Sequence, residues 1–214
     1  MHKKVLDILW LLTILLIGMF LSSSSGRTIF IDVTVEHPLL AGFIKFAVLA
    51  TMGDFLARRI VDGSWIFKNT RWYQRAFVWG CFGILFTYVF PIYSAGVEEL
   101  VSKGLLPNMF LAFWKSFLMN ILFAFPMMTF HRITDTLIDR GVLFHRWPFL
   151  EVWNSIDWKN MWRFVAPSIL WFWIPAHTIT FSLPSEYSIM MAAGLSVCLG
   201  AILAFAKKRS SASM

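Results

Sequence analysis

The sequence predicts an all-α, polytopic integral membrane bundle of about six spans, with four as the fewest its apolar runs allow. Three observations carry that prediction. The 214 residues are 58% hydrophobic and only 14% charged, which sets aside the soluble classes. Several runs are free of charge over lengths that cross a hydrocarbon core of about 30 Å at about 1.5 Å per helical residue. The basic residues gather in alternate loops, which gives the runs an orientation.

The clearest run is the stretch 164–185, without a formal charge between Arg163 and Glu186. Trp173, His177, Thr180 and Pro184 recur in it at i, i+4, i+7 and i+11, so one helical face gathers the polar and special groups. Pro167 and Pro175 remove backbone donors, a loss a membrane tolerates only where neighbouring groups compensate. A bent helix with a polar face needs partner helices around it.

In chain order, residues 1–25 join a basic start, an apolar run and small residues, the outline of a signal-anchor; cleavage near Ser24 is the alternative. A polar stretch with Arg27, Asp32 and Glu36 follows. The second span starts at His37-Pro38, where proline suits a first helical turn, and ends near Arg58-Arg59. The third is Ala76 to Val97 and the fourth Pro107 to Phe130. Residues 131–163 alternate polar and aromatic, as an amphipathic segment on the membrane surface would. The fifth span starts at Met161, the sixth is Ile189 to Ala206, and 207–214 form a cytoplasmic tail; 36–206 make up the bundle.

With both ends inside, every Lys and Arg falls on the inner side except Arg27 and Lys103 in outer segments and Lys45 and Lys115 within spans. That bias is what the positive-inside rule demands, and it explains a net charge of +7 without nucleic acid as a partner. Trp65, Trp72, Trp147, Trp153, Trp158 and Trp162 fall at the inner boundary, where indole rings favour the interface. Expected partners are therefore the bilayer itself and anionic headgroups at the inner face. The signal-like start favours a bacterial cytoplasmic membrane, with an organellar membrane as the alternative. Cys81 and Cys198 lie in apolar spans and match no metal or redox spacing.

Several side chains invite a functional reading beside a structural one. Asp54 stands one turn before Arg58, as an i, i+4 pair or as a polar group at a pathway mouth. Lys115 carries an ammonium inside a span, which costs roughly 2.5–3.5 kcal/mol on insertion scales, so it faces a cavity or an acid or snorkels outward. Asn120 is deeper and suits an interhelical hydrogen bond. His177 either bonds a carbonyl freed by Pro175 or serves a solute or proton path, which Trp173 and Thr180 would share. His131, Asp135 and Asp139 share a helical face at metal-ligand spacing, although Arg132 and Arg140 make a solvated face the simpler explanation; no metal or cofactor is expected. Ala192, Ser196, Gly200 and Ala204 form a small-residue ridge for close packing within the chain or between copies, which allows a homo-oligomer.

The segments HPLLAGFIKFAVLATMGD and WIPAHTITFSLP carry a resemblance. With His37-Pro38, Gly53-Asp54, Arg75 before Gly80 and Gly83, Lys115 with Asn120, Ala124 and Pro126, and Trp173, Pro175, His177, Phe181 and Pro184, the chain resembles the family named for Mpv-seventeen and the twenty-two-kilodalton peroxisomal membrane protein. His177 stands where that family carries Gln, Thr180 where it carries Asn, and Met119 where it carries Asp. The resemblance spans roughly Glu36 to Phe205 and implies a small channel-like membrane protein linked to passage of small solutes, without enzyme activity.

The expected function is thus a small-solute permeation pathway of low selectivity, lined by Lys115, Asn120, Trp173, His177 and Thr180. A non-transporting scaffold or assembly partner is the alternative. No phosphate loop or hydrolase motif is present to support an enzyme, and a lipid-modifying site would have to be built from His131 and Asp135.

Overall fold

In a computed structural model of the chain, the backbone is described for residues 2–212 and the side chains for 4–202 and 205. Met1, Ser213, Met214 and the side chains of Ala204 and the basic tail lie outside the described residues. Among the described residues the chain is all-helical. Its helices are α1 (His2–Ser22), α2 (Ser24–Glu36), α3 (Pro38–Asp62), α4 (Trp72–Ser102), α5 (Asn108–Arg140), α6 (Phe149–Ser155), α7 (Trp158–Phe181) and α8 (Ser185–Ala212). Six of them, all but α2 and α6, are long and apolar enough to cross a membrane.

Five spans close into a ring. α3 lies between α8 and α4, α4 continues to α5, α5 packs on α7, and α7 returns to α8. α1 stays outside the ring with most of its side chains exposed, as lipid-facing residues should be. It is held by Asp7, which receives both Arg59 Nε and Nη2 at 2.9 Å and Trp65 Nε1 at 2.7 Å, and by Trp10 Nε1 donating to the Met52 carbonyl.

Two close crossings set the ring. Gly42 of α3 faces Gly83 of α4, where an added Cβ on either would strike the other's carbonyl. Gly53 of α3 faces α8, where an added Cβ would stand 3.0 Å from Val197 Cα and 3.3 Å from the Ser196 carbonyl oxygen. The described part of the small-residue ridge, Ala192, Ser196 and Gly200, therefore serves packing inside the chain, with Gly200 over the Gly53 carbonyl. Small residues let backbones approach where lipid provides no hydrophobic drive for association.

Three prolines sit in widened turns. Pro126, Pro167 and Pro175 each follow a π-helical stretch, at Asn120–Ala124, Met161–Val165 and Ile169–Trp173 respectively. The extra residue per turn makes room for a ring that would otherwise clash with the carbonyl one turn back.

Several boundaries differ from expectation. The fourth span does not end at Phe130 but runs to Arg140, and the fifth begins at Trp158, so the connection shrinks from 131–163 to the stretch 141–157. It is no purely interfacial strip either, because Leu143, Val152 and Ile156 are buried in the main core while Phe149, Leu150 and Trp153 stay exposed. The polar stretch before His37 is a helix, α2, capped by the Ser23 hydroxyl on Gly26 N–H.

Candidate functional site

The end of the ring marked by Pro38, Ser102 and Leu183 holds an open cavity of ≈ 610 Å³. This vestibule lies among α2, α3, α4, α5 and α8, and both intramembrane lysines line it. Lys115 is 8% exposed, and its Nζ donates to Glu98 Oε1, a carboxylate that stays in contact with solvent. The pair resolves the expected choice for Lys115: it faces both a cavity and an acid. Lys45 donates to Thr34 Oγ1 at 2.7 Å and lies 4.1 Å from the centre of the Phe30 ring. Pro91, on the same wall, leaves the Thr87 carbonyl without its usual backbone donor.

Phe90 and Phe181, their rings 5.0 Å apart, close the vestibule toward the middle of the ring. Beyond them lies a second cavity of ≈ 50 Å³, bordered by Asn120, Trp173, His177, Trp79 and several Met and Phe side chains. It exceeds the roughly 10–15 Å³ that one water needs. His177 stacks on Trp173 at 5.2 Å and meets the Phe90 ring edge-on at 5.5 Å. Its Nδ1 and the Trp173 Nε1 are buried without a hydrogen-bond partner. The imidazole therefore does not take up a carbonyl freed by Pro175.

The expected pathway residues thus divide. Asn120, Trp173 and His177 share the small cavity, Lys115 stands apart in the vestibule, and Thr180 lines neither. Thr180 is fully buried and donates to the Ala176 carbonyl of its own helix. Asn120 also bonds within its helix, to the Ser116 carbonyl at 2.8 Å; the tie across to α7 is made instead by the Ser116 hydroxyl, which donates to the Ile174 carbonyl at 2.7 Å. Nothing in the sequence singles out Ser116 beyond its place one turn before Asn120.

The opposite end of the ring carries a cluster the sequence left in pieces. Arg75, at the start of α4 and 3% exposed, donates from Nη1 to Asp135 at 2.8 Å, from Nη2 to Asp139 at 2.5 Å and from Nε to the Thr70 carbonyl. Arg71 caps the end of α5, donating to the carbonyls of Ile138 and Asp139, beside Gly141 at φ 78°. Asp54 pairs with no Arg58; its carboxylate accepts Trp79 Nε1 at 3.0 Å. His131 lies on the Trp79 ring at 4.3 Å, with Nε2 3.6 Å from Asp135. The i, i+4 carboxylates that resembled metal ligands or a solvated face thus hold a guanidinium, and of the His131–Asp135 pair it bonds Asp135 alone. Among the described residues no group of three or more His, Cys, Asp or Glu stands in metal-binding array.

The residues that carry the resemblance serve helix ends and crossings. His37 and Pro38 open α3, Gly53 admits α8, Pro126 and Pro175 follow widened turns, Phe181 closes on Phe90, and the Pro184 carbonyl accepts Tyr187 N–H at the start of α8. A ring of apolar spans with ion pairs at both ends defines the class: a multi-pass integral membrane protein. No family model, curated protein or solved structure matches the chain.

Proposed function

We propose that the protein is a low-selectivity route for small solutes, held here in a closed arrangement. The carrying observation is the ≈ 610 Å³ vestibule with the Lys115–Glu98 pair on its wall. Solute enters there, meets the Phe90–Phe181 barrier, passes the cavity at His177 and Asn120, and leaves beside Trp79 and the Arg75 cluster. Two ring contacts, Phe90 on His177 and Trp79 on His131, lie along the course proposed. The charges that face the vestibule, Lys45 and Lys115 against Glu98 and Glu186, balance, which fits low charge selectivity better than an anion filter. Both chain ends lie on the cytoplasmic side of a bacterial membrane, and α1 stays in place as an anchor through Asp7. The chain is similar to the Mpv-seventeen family in this reading and has no enzyme activity.

Reconstituted liposomes test it. Wild-type protein is expected to pass small uncharged solutes slowly, and Phe90→Ala with Phe181→Ala to raise the flux severalfold. Lys115→Met, which leaves Glu98 uncompensated, is expected to shift ion preference toward cations. Liposomes that stay tight with the wild-type and the opened variant overturn the proposal.

A second reading, a non-transporting scaffold, draws on the use of interior polar groups as helix ties: Ser116 to Ile174 and Arg75 to Asp135. It predicts that alanine at Lys115 or His177 changes thermal stability and leaves permeation untouched.

A further inference from the structure

Lys45 borders two cavities at once. One is the polar vestibule; the other is an apolar groove of ≈ 450 Å³ between α1, α2 and α3, and the two share Lys45 and Thr34. The groove walls include Leu16, Phe20, Ile29, Ile44 and Val48, all of them exposed on the outside of the ring. Lys45 stands seven residues into α3 from Pro38, about 10 Å down the helix axis at about 1.5 Å per residue. From that position the long side chain can carry its ammonium toward the headgroups.

The ammonium is incompletely used. It donates to one hydroxyl, Thr34, and leans on the Phe30 ring, and no carboxylate lies within ion-pair distance, whereas Lys115 has Glu98 and Lys103 has Glu99. A lysine has three donors, so a further acceptor can be served. Phe30 is held in turn by Tyr187 of α8, the rings stacked at 5.4 Å, which fixes the lysine's surroundings from two helices.

We propose that this is a binding site for one anionic phospholipid of the adjoining leaflet. Its phosphodiester oxygen accepts from Lys45 Nζ, beside a Thr34 hydroxyl whose own proton goes to the Phe30 carbonyl at 2.6 Å, while one acyl chain lies in the groove along Leu16, Phe20 and Val48. The site commits to a lipid with net negative charge: Lys45 has no carboxylate at ion-pair distance, so an anionic phosphodiester supplies its countercharge, and a headgroup that brings its own cation offers less. The site shares Lys45 and Thr34 with the vestibule, yet its test reads lipid retention and not flux, so it can fail or hold whatever the outcome for permeation.

Native mass spectrometry of the full chain, in detergent with phosphatidylglycerol or phosphatidylcholine of the same acyl chains, tests it. Wild-type protein is expected to retain phosphatidylglycerol by roughly fivefold over phosphatidylcholine, the effect of one basic residue on an anionic lipid. Lys45→Met should abolish the preference; Lys103→Met, at the same end of the bundle, should keep it. Equal retention of the two lipids, or a preference that survives Lys45→Met or falls equally with Lys103→Met, overturns the site. Should Lys45→Met fail to fold, a photoreactive acyl chain on phosphatidylglycerol decides with unaltered protein: crosslinks to α1 and α3 at Leu16, Phe20 or Val48 support the site, and crosslinks elsewhere contradict it.

Discussion

Gly83→Val is expected to prevent the ring from assembling. α3 and α4 meet backbone to backbone at Gly42 and Gly83, and a Cβ on Gly83 would lie against the Gly42 carbonyl and 2.9 Å from Phe46 Cβ. Neither obstacle is the far end of a flexible side chain, so relief requires the helices to separate. Overpacking of a tight site costs about 1–3 kcal/mol even where side chains can yield, and here the backbone itself must move. The loss is expected at the upper end of that range or above it. Gly80→Ala is milder, because its Cβ would meet only the Phe43 ring, a side chain that can turn. Gly96→Ala is the control: nothing lies within 4 Å of an added Cβ there, and alanine favours the helix by roughly 0.5–1 kcal/mol. Thermal unfolding in detergent, with size-exclusion profiles, should rank the three as Gly83→Val worst, Gly80→Ala intermediate and Gly96→Ala neutral or better.

Arg75→Met is expected to be the second severe substitution. The guanidinium is nearly inaccessible, while Asp135 keeps 18% of its side chain exposed and Asp139 65%. Removing one partner of a buried pair costs about 3–5 kcal/mol, and the lower end is expected here because Arg132 Nη1 at 3.9 Å and His131 Nε2 at 3.6 Å remain beside Asp135. Asp135 supplies most of that penalty; Asp139 can rehydrate and contributes little. Arg75→Lys should recover only part, because a lysine cannot reach two carboxylates and the Thr70 carbonyl in one planar fork. Adding Asp135→Leu to Arg75→Met should restore stability relative to the single variant, which distinguishes a stranded carboxylate from simple loss of packing. Proteolysis of the stretch 141–157, anchored by the end of α5 that Arg71 and Arg75 hold, should quicken in Arg75→Met and return toward wild type in the double variant.

Uncharged runs and the placement of Lys and Arg made the spans legible, because the cost of an unsatisfied backbone or a lipid-exposed charge leaves few alternatives to an apolar helix. The ends of the spans were less legible. α5 continues past Phe130 because His131, Asp135 and Asp139 find Trp79 and Arg75 on α4; taken alone, that polar segment resembles a surface strip. α2 was hidden for a similar reason: its Phe30 and Thr34 acquire meaning only through Tyr187 and Lys45. The i, i+4 relation of Asp54 to Arg58 suggested a pair, yet Trp79, 25 residues on, takes the carboxylate. Gly80 and Gly83 were visible as glycines in a span, and their spacing was the available signal for the α3–α4 crossing. The vestibule had no local signature at all, since its lysines and glutamates come from different helices.

A one-ended, water-filled vestibule inside a five-span ring is the claim on which the permeation proposal depends, and thiol accessibility tests it most directly. With Cys81 and Cys198 replaced by serine, single cysteines at Ser94 and Ser185, both on the vestibule wall, should react with a membrane-impermeant maleimide. They should do so only from the Pro38 face. Ala192→Cys, at the small cavity beyond Phe90 and Phe181, should stay unlabelled. No labelling of the Ser94 and Ser185 positions, or labelling of either from the Arg59 face, would contradict the account.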